Sequence, residues 1–435
     1  ATVTSLLLGA TWVGASQVND YWFGPTHAAS SEPGLRVDRV EWIWLGGLSS
    51  DSVTVTAELA EGRTEAVLVV ETVGGGPTWR SAPVIAAADP VVRLGVDGLG
   101  ADVEYDFHLE VDGVADTSRG RGSFRTPAEA PASFTVAVGA CARTGTNGAV
   151  FDAIRALDPL MMVHLGDLHY SDLASSDPEV HREAMRRFLT SPGPAALTRT
   201  VPMAYVWDDH DYGPNDGDAT STSRDAVRAN YRDIVPHYDL AEPEDGSINQ
   251  AFTIGRVRFV LTDGRSERIG NTMLGEDQLA WLIEEITTAS RTHALVVWGN
   301  PVPWIAGASP GGDYWNGYAE ERRVIADALA AAEVDNLVMI SGDAHMVAID
   351  DGSNTDYSSD QVGGFPLMQA AALDRRGSIK GGPYSSEVFP GGGQFGTLEV
   401  VDDGTDITAT LAGHTWDGEV LVEETFEFPG DPTGS

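Results

Sequence analysis

Residues 161–172 read MMVHLGDLHYSD: an apolar run of strand length stops at a glycine and then delivers Asp167, His169 and Tyr170. The same pattern recurs on both sides. FTVAVGA (134–140) is followed by Cys141, PMAYVW (202–207) by Asp208, Asp209 and His210, and VRFVLT (257–262) by Asp263. ALVVWG (294–299) is followed by Asn300, and NLVMIS (336–341) by Asp343 and His345. Amphipathic segments of helix length lie between these runs. The clearest are 276–289, with Leu279, Leu282, Ile283 and Ile286 on one face, and 318–333. Buried strands alternating with helices predict an α/β fold with both sheet faces covered. In such folds the ligand crevice lies beyond the carboxyl ends of the strands. Every strand end here supplies a side chain able to bind a metal ion.

Each of these residues has an ordinary structural use. An Asp or Asn after a strand often caps the next helix, a buried Cys packs as a small hydrophobe, and a lone His is usually a hydrogen-bonded interior group. Their recurrence at successive strand ends argues instead for an ion site. Cys141 offers a thiolate and Tyr170 a phenolate, which with one imidazole suit a redox-capable transition ion, Fe(III) above all. Asp209, Asn300 and Asp343 offer hard oxygen, which suits Ca²⁺ or Mg²⁺, and Asp167 can bridge both. The sequence leaves open whether Asp208 replaces or joins Asp209. Such a pair of ions can activate a hydroxide and clamp the oxygens of an in-line phosphoryl displacement.

Upstream, residues 36–127 read as all-β. Val53, Val55, Ala57 and Leu59 alternate, as do Tyr105, Phe107, Leu109 and Val111, which is the period of a half-buried strand. The stretch LGADVEYDFHLEVDG (99–113) is similar to the tyrosine-containing late strand of a fibronectin-like sandwich. A linker follows at 126–131. Residues 1–18 carry no charge, but Gly9, Gly14 and the lack of a basic start favour a packed strand or helix over an export signal or membrane anchor. No other segment is long enough to span a bilayer.

The chain has 435 residues and a formal charge of −38, which disfavours nucleic acid and anionic membranes as partners. Its single cysteine excludes an internal disulfide and any multi-cysteine zinc site.

GAC, HLGDLHY, VWDDHDYG, VVWGNPV and SGDAH, in this order, resemble the PhoD-type alkaline phosphatases of the metallophosphoesterase superfamily. The resemblance runs from about Arg36 to FGTLEV (395–400), and GDLHYSD is also similar to a segment of purple acid phosphatases. It implies a four-layer α/β sandwich, two mixed sheets flanked by helices, at 132–428. A fibronectin-like β-sandwich would occupy 36–127 and an extension 1–35. It implies iron held by Cys141, Asp167, Tyr170 and His345, and calcium held by Asp167, Asp209, Asn300 and Asp343. Mg²⁺, Mn²⁺ or Zn²⁺ are further candidates. Cys141 and the pair Asp209-His210 depart from the wider superfamily, which has an Asp and an Asn-His pair there; both departures match the PhoD branch.

His210 takes the place of the superfamily's catalytic histidine, able to stabilise phosphoryl charge or protonate the leaving oxygen. His164 and His169 are expected around the ligands or at the rim. Arg143 and Arg228 are candidates for binding phosphate oxygens. Asp211, Asp216 or Asp350 could add a calcium ligand. The Gly-rich stretch 363–396, which carries Lys380, is a candidate substrate rim. These readings converge on a metal-dependent alkaline phosphomonoesterase acting on a small-molecule phosphate ester. A phosphodiesterase or phospholipase-D-like activity on the same fold is the alternative, and a non-enzymatic calcium-binding surface protein the remote one. The resemblance implies a secreted, periplasmic or cell-surface location.

Overall fold

The computed structural model describes residues 33–86, 89–143, 148–243 and 245–430. The uncharged run at 1–18, expected to pack on the body, lies outside them.

The first strands are β1 (Val40–Gly46), β2 (Ser52–Leu59), β3 (Glu65–Thr72), β4 (Thr78–Arg80), β5 (Val84–Ile85), β6 (Val91–Asp97), β7 (Glu104–Val111), β8 (Val114–Ala115) and β9 (Arg121–Arg125). They form two sheets, ordered β1-β2-β6 and β4-β3-β7-β8, with β5 added to β3 and β9 to β7. The alternating residues expected to point inward do so. Val53, Val55, Ala57 and Leu59 share one core with Leu68, Val70, Phe107 and Leu109. The Tyr105 hydroxyl accepts the Gly100 amide at 2.7 Å, tying the start of β7 to the turn before it.

The second part continues with β10 (Phe134–Gly139), α1 (Ala149–Ala156), β11 (Met161–Leu165), α2 (Pro178–Thr190), α3 (Pro192–Thr198), β12 (Met203–Val206), α4 (Asp209–Tyr212), α5 (Arg224–Ile234), β13 (Gln250–Ile254) and β14 (Val257–Leu261). There follow α6 (Gly275–Ala289), β15 (Leu295–Asn300), α7 (Ala319–Ala331), β16 (Leu337–Ser341), β17 (Met346–Asp350), β18 (Leu367–Ala370), β19 (Phe389–Pro390), β20 (Gln394–Asp402), β21 (Ile407–Thr415) and β22 (Val420–Phe428). All the strands and both helices read from the sequence here are present, with ends shifted by a residue or two. The strands build two mixed sheets, β12-β11-β10-β20-β21-β22 and β13-β14-β15-β16-β18-β17-β19.

Period-two alternation decides which layer each side chain joins. In β15, Leu295 and Val297 enter the core shared with the other sheet, where Val136, Val163 and Phe395 also lie. Val296 and Trp298 turn the other way, toward Leu282 and Ile286 of α6 and Ile325 and Leu329 of α7. Both faces of β15 are thus buried, which is why its sequence is continuously apolar.

The N-terminal sheets are fastened to this body. Glu58 of β2 binds Arg186 of α2 at 2.8 Å, and Arg182 reaches Asp89 at 2.6 Å. A Cβ on Gly46 would lie 2.7 Å from the carbonyl oxygens of both Met203 and Pro236, so only glycine allows so close a crossing.

β10, β11 and β12 run parallel to one another, as do β14, β15, β16 and β18. Within each sheet the carboxyl ends of these strands therefore open on one edge. A Cβ on Gly342, just beyond β16, would meet Pro301 O, Ala140 Cβ and Leu165 O at 2.8–2.9 Å, so the strand ends of the two sheets converge at this glycine.

Candidate metal centre

The site begins with backbone conformation. Cys141, Asp167 and Asp343 each follow a parallel strand and each has a positive φ, +62°, +60° and +60°. This left-handed conformation is costly for residues with a Cβ and tends to persist at functional sites. It turns the chain sharply at the strand end. Gly166 permits the turn at Asp167, because a Cβ there would lie 2.5 Å from Asp208.

The residues nominated for the first ion are in mutual contact. The Cys141 Sγ lies 3.6 Å from Asp167 Oδ2, and the Tyr170 hydroxyl lies 3.2 Å from His345 Nε2. Burial, then Asp167 and Asp343, push the Cys141 thiol well up. Burial, Asp167 and Cys141 do the same to the Tyr170 hydroxyl. Burial lowers His345 to about 4, helped by Lys380 and Arg375, so its imidazole is neutral. Only a strong local positive charge would make thiolate and phenolate here.

Beside them, Asp167, Asp209 and His210 bring ligand atoms within 4.8 Å of one another, and Asp209, Asp216 and Asp313 do likewise. Burial raises the Asp167 carboxyl well above its usual range, and Asp209, Asp208 and Asp211 add to it. Asp343 is also raised, by burial and by Asp209, although Lys380 opposes this at 2.5 Å. For Asp209, burial is outweighed by Arg265 and His210, and its carboxyl falls below the usual range. Asn300 Oδ1, Asp343 Oδ2 and Asp208 Oδ2 are buried without a hydrogen-bond partner. Such orphaned oxygens are costly, and cations would satisfy them. The residues present therefore fit metal ions: hard oxygen on the Asp209 side, and sulfur, phenol and imidazole on the Cys141 side.

Asp208 and Asp209 differ in their relation to Arg265. This fully buried arginine holds Asp208 Oδ1 at 2.5 Å and Asp313 through both oxygens, at 2.6 and 3.0 Å. Asp209 belongs to both carboxylate groups and has Oδ1 3.8 Å from the same guanidinium, while Asp208 keeps Oδ2 without a partner. His210 is held at Nδ1 by Asp172, packs tilted against Tyr170 with ring centroids 4.0 Å apart, and places Nε2 4.0 Å from Asp209 Oδ1.

Other expectations are corrected. Arg228 is not available to phosphate: its guanidinium is buried and bonded to Glu267 and Ser266. His164 lies in the core against Phe188 and Tyr205, not around the ligands, because β11 turns it to the helix-covered face. Asp263 caps its own turn, accepting from Trp207 Nε1 and the amides of Arg265 and Ser266 at 2.7–3.0 Å. Asp350 likewise binds the amides of Gly352, Asn354 and Ser385, each at 3.0 Å. His169 supports the site from behind, its amide bonded to Asp211 at 3.2 Å. Arg143 is exposed.

Residues 134–368 match the model of the PhoD-like phosphatase family. The chain belongs to that family. As a PhoD-like phosphatase it is a phosphoric ester hydrolase. A solved structure of PhoD superposes with a TM-score of 0.70 at 16% identity, covering 91% of each chain. A purple acid phosphatase, PPD1 from yellow lupin (Lupinus luteus) seeds, gives a TM-score of 0.59 at 13% identity, covering 88% of this chain and 73% of its own. Both share the α/β fold with several mixed sheets. No curated protein matches the sequence. Family and acidic clusters together support a metal-dependent phosphoesterase. No helix among the described residues is long and apolar enough to cross a membrane.

Arg265, Asp313, Asp172 and Arg375 contribute to this site of the PhoD-like phosphatase without having been singled out from the sequence. Asp172 stood inside GDLHYSD. Arg375 stood inside the Gly-rich stretch 363–396, and Arg265 and Asp313 lie in loops with no local pattern to announce them.

Proposed function

We propose that the chain is an alkaline phosphomonoesterase in which Cys141, Asp167, Tyr170 and His345 hold Fe(III), and Asp167, Asp209, Asn300 and Asp343 hold Ca²⁺. The observation that carries this reading is the contact network Cys141–Asp167 and Tyr170–His345 beside the unpartnered oxygens of Asn300 and Asp343. Bound ions supply charge stabilisation for the phosphoryl oxygens and lower the pKa of water at the site.

The chain's own groups do the rest. Asp172 fixes the His210 ring through Nδ1 and leaves Nε2 facing the carboxylates, where it can pass a proton to the departing alkoxide. Arg265 grips Asp208 Oδ1 at 2.5 Å and lies 3.8 Å from Asp209 Oδ1, so that it orients both carboxylates. In the loop at 208–212 the Asp208 amide donates to Asp211 Oδ2 at 3.4 Å and the His210 amide to Asp167 Oδ1 at 3.3 Å, which holds His210 beside Asp167.

In this reading residues 36–127 form a fibronectin-like sandwich and 132–428 a four-layer metallophosphoesterase sandwich, and the protein works outside the cytoplasm. The two N-terminal sheets and the Tyr105–Gly100 bond support the first assignment. Elemental analysis with a visible spectrum tests the metals. Fe(III) bound to thiolate or phenolate should colour the protein, and Cys141→Ala should bleach it and lower turnover. An active, colourless, iron-free enzyme would sink the iron assignment.

A further inference from the structure

We infer that Arg375 and Lys380 form an arm that reads the phosphoryl group, and that their paired charges select a dianionic monoester over a monoanionic diester. This rests on the phosphate-ester reading above.

The arm is built, not loose. After β18 the chain is pinned along the site: Leu373 N donates to Ala140 O at 3.0 Å, Asp374 N to Cys141 O at 3.1 Å, Ser378 N to His345 O at 2.9 Å and Gly382 N to Ile305 O at 2.8 Å. Gly381 makes the closing turn with φ +75°, where a Cβ would lie 2.4 Å from Ile305 O. The loop is therefore fastened to the very segments that carry Cys141 and His345.

From it, the Arg375 guanidinium carbon lies 3.7 Å from the centroid of the Tyr170 ring. Stacking of this kind leaves the planar fork of N–H groups free for phosphate oxygens. Lys380, the only lysine in the chain, puts Nζ 2.5 Å from Asp343 Oδ1. An ammonium has three N–H donors, so this bond leaves others for a ligand oxygen. Its side chain is 35% exposed, so a ligand can reach it.

Arg265 is committed to Asp208 and Asp313, and Arg268 to Asp313. Arg375 and Lys380, by contrast, are fastened cations with donors to spare. A monoester phosphoryl carries one more negative charge than a diester at alkaline pH, so two extra cations favour it more.

The test uses metal-loaded enzyme, with metal content and melting temperature measured for each variant. Lys380→Gln and Arg375→Gln are assayed on 4-nitrophenyl phosphate and bis(4-nitrophenyl) phosphate, and inorganic phosphate binding is measured by calorimetry. For either variant, monoester kcat/KM should fall about tenfold to a hundredfold and phosphate affinity by a similar factor, with diester kcat/KM falling about threefold or less. Lys380→Arg should recover part of the loss. Equal losses on both esters with unchanged phosphate affinity would overturn the arm, as would losses that track metal content. A fully metal-loaded parent that hydrolyses neither ester overturns the phosphate-ester reading instead.

Discussion

Two buried aspartates, one in each part of the molecule, are treated in opposite ways. Asp116, between β8 and β9, is 2% exposed and its oxygens are saturated: Ser118 N at 2.7 Å, Gly120 N at 2.9 Å and Arg39 N at 2.8 Å. Asp343, beyond β16, is 5% exposed, yet it spends one oxygen on Lys380 and leaves the other without a partner. Burial alone therefore does not mark the site. An acceptor left open among like charges does, because a fold gains nothing from it unless something else fills it. Asp263 and Asp350, which the strand-end pattern and the acidic loops brought forward, fall on the Asp116 side of this divide.

The comparison can be broken most severely at the shared carboxylate. Asp167→Asn, or chelation of the parent, should reduce kcat/KM by more than about a hundredfold while circular dichroism stays native, since ligand loss exceeds the effect of losing a supporting group. Retained activity would put Asp167 with Asp116 as a structural group.

His210→Asn should lower kcat about a hundredfold or more at unchanged metal content, as expected when a proton donor is removed. Asp172→Asn should cost less, because it only loosens the ring. Steady-state kinetics with elemental analysis separates the two from ligand loss.

Asp116→Ala should do the reverse. It strands three backbone donors and should destabilise the chain by about 2–4 kcal/mol in urea unfolding, with turnover per folded molecule unchanged. A loss of turnover with full stability would erase the contrast.

The smallest effect is in the pH dependence of the metal-free protein. Burial raises Asp211 from 3.8 to about 7, although hydrogen bonds from Tyr205, His169 and Asp208 oppose it. The folded state then holds a proton that the unfolded state has released. This contribution is complete below about pH 4 and is lost as pH rises toward about 7. Melting temperatures of chelated protein should fall across that window, and Asp211→Asn should make the fall shallower.

Much of the centre was legible because the chemistry sits at strand ends, and strand ends are visible as the point where an apolar run stops. Cys141, Asp167, Asn300, Asp343 and the pair Asp208-Asp209 were nominated that way. Arg228 misled because a basic residue on an amphipathic helix looks the same whether it faces solvent or Glu267. His164 misled because alternation within a fully buried strand does not say which face holds the site. Arg265 and Asp313 come from separate loops and meet only in three dimensions.

The order of apolar runs and the residues that end them determined the α/β class, the family and most of the candidate ligands, since each depends on a local pattern of a few residues. The pairing of Asp208 with Arg265, the holding of His210 by Asp172 and the fastening of Lys380 beside Asp343 were decided by tertiary structure alone. Each turns on which donor reaches which oxygen across two converging sheets, and no local period in the chain encodes that.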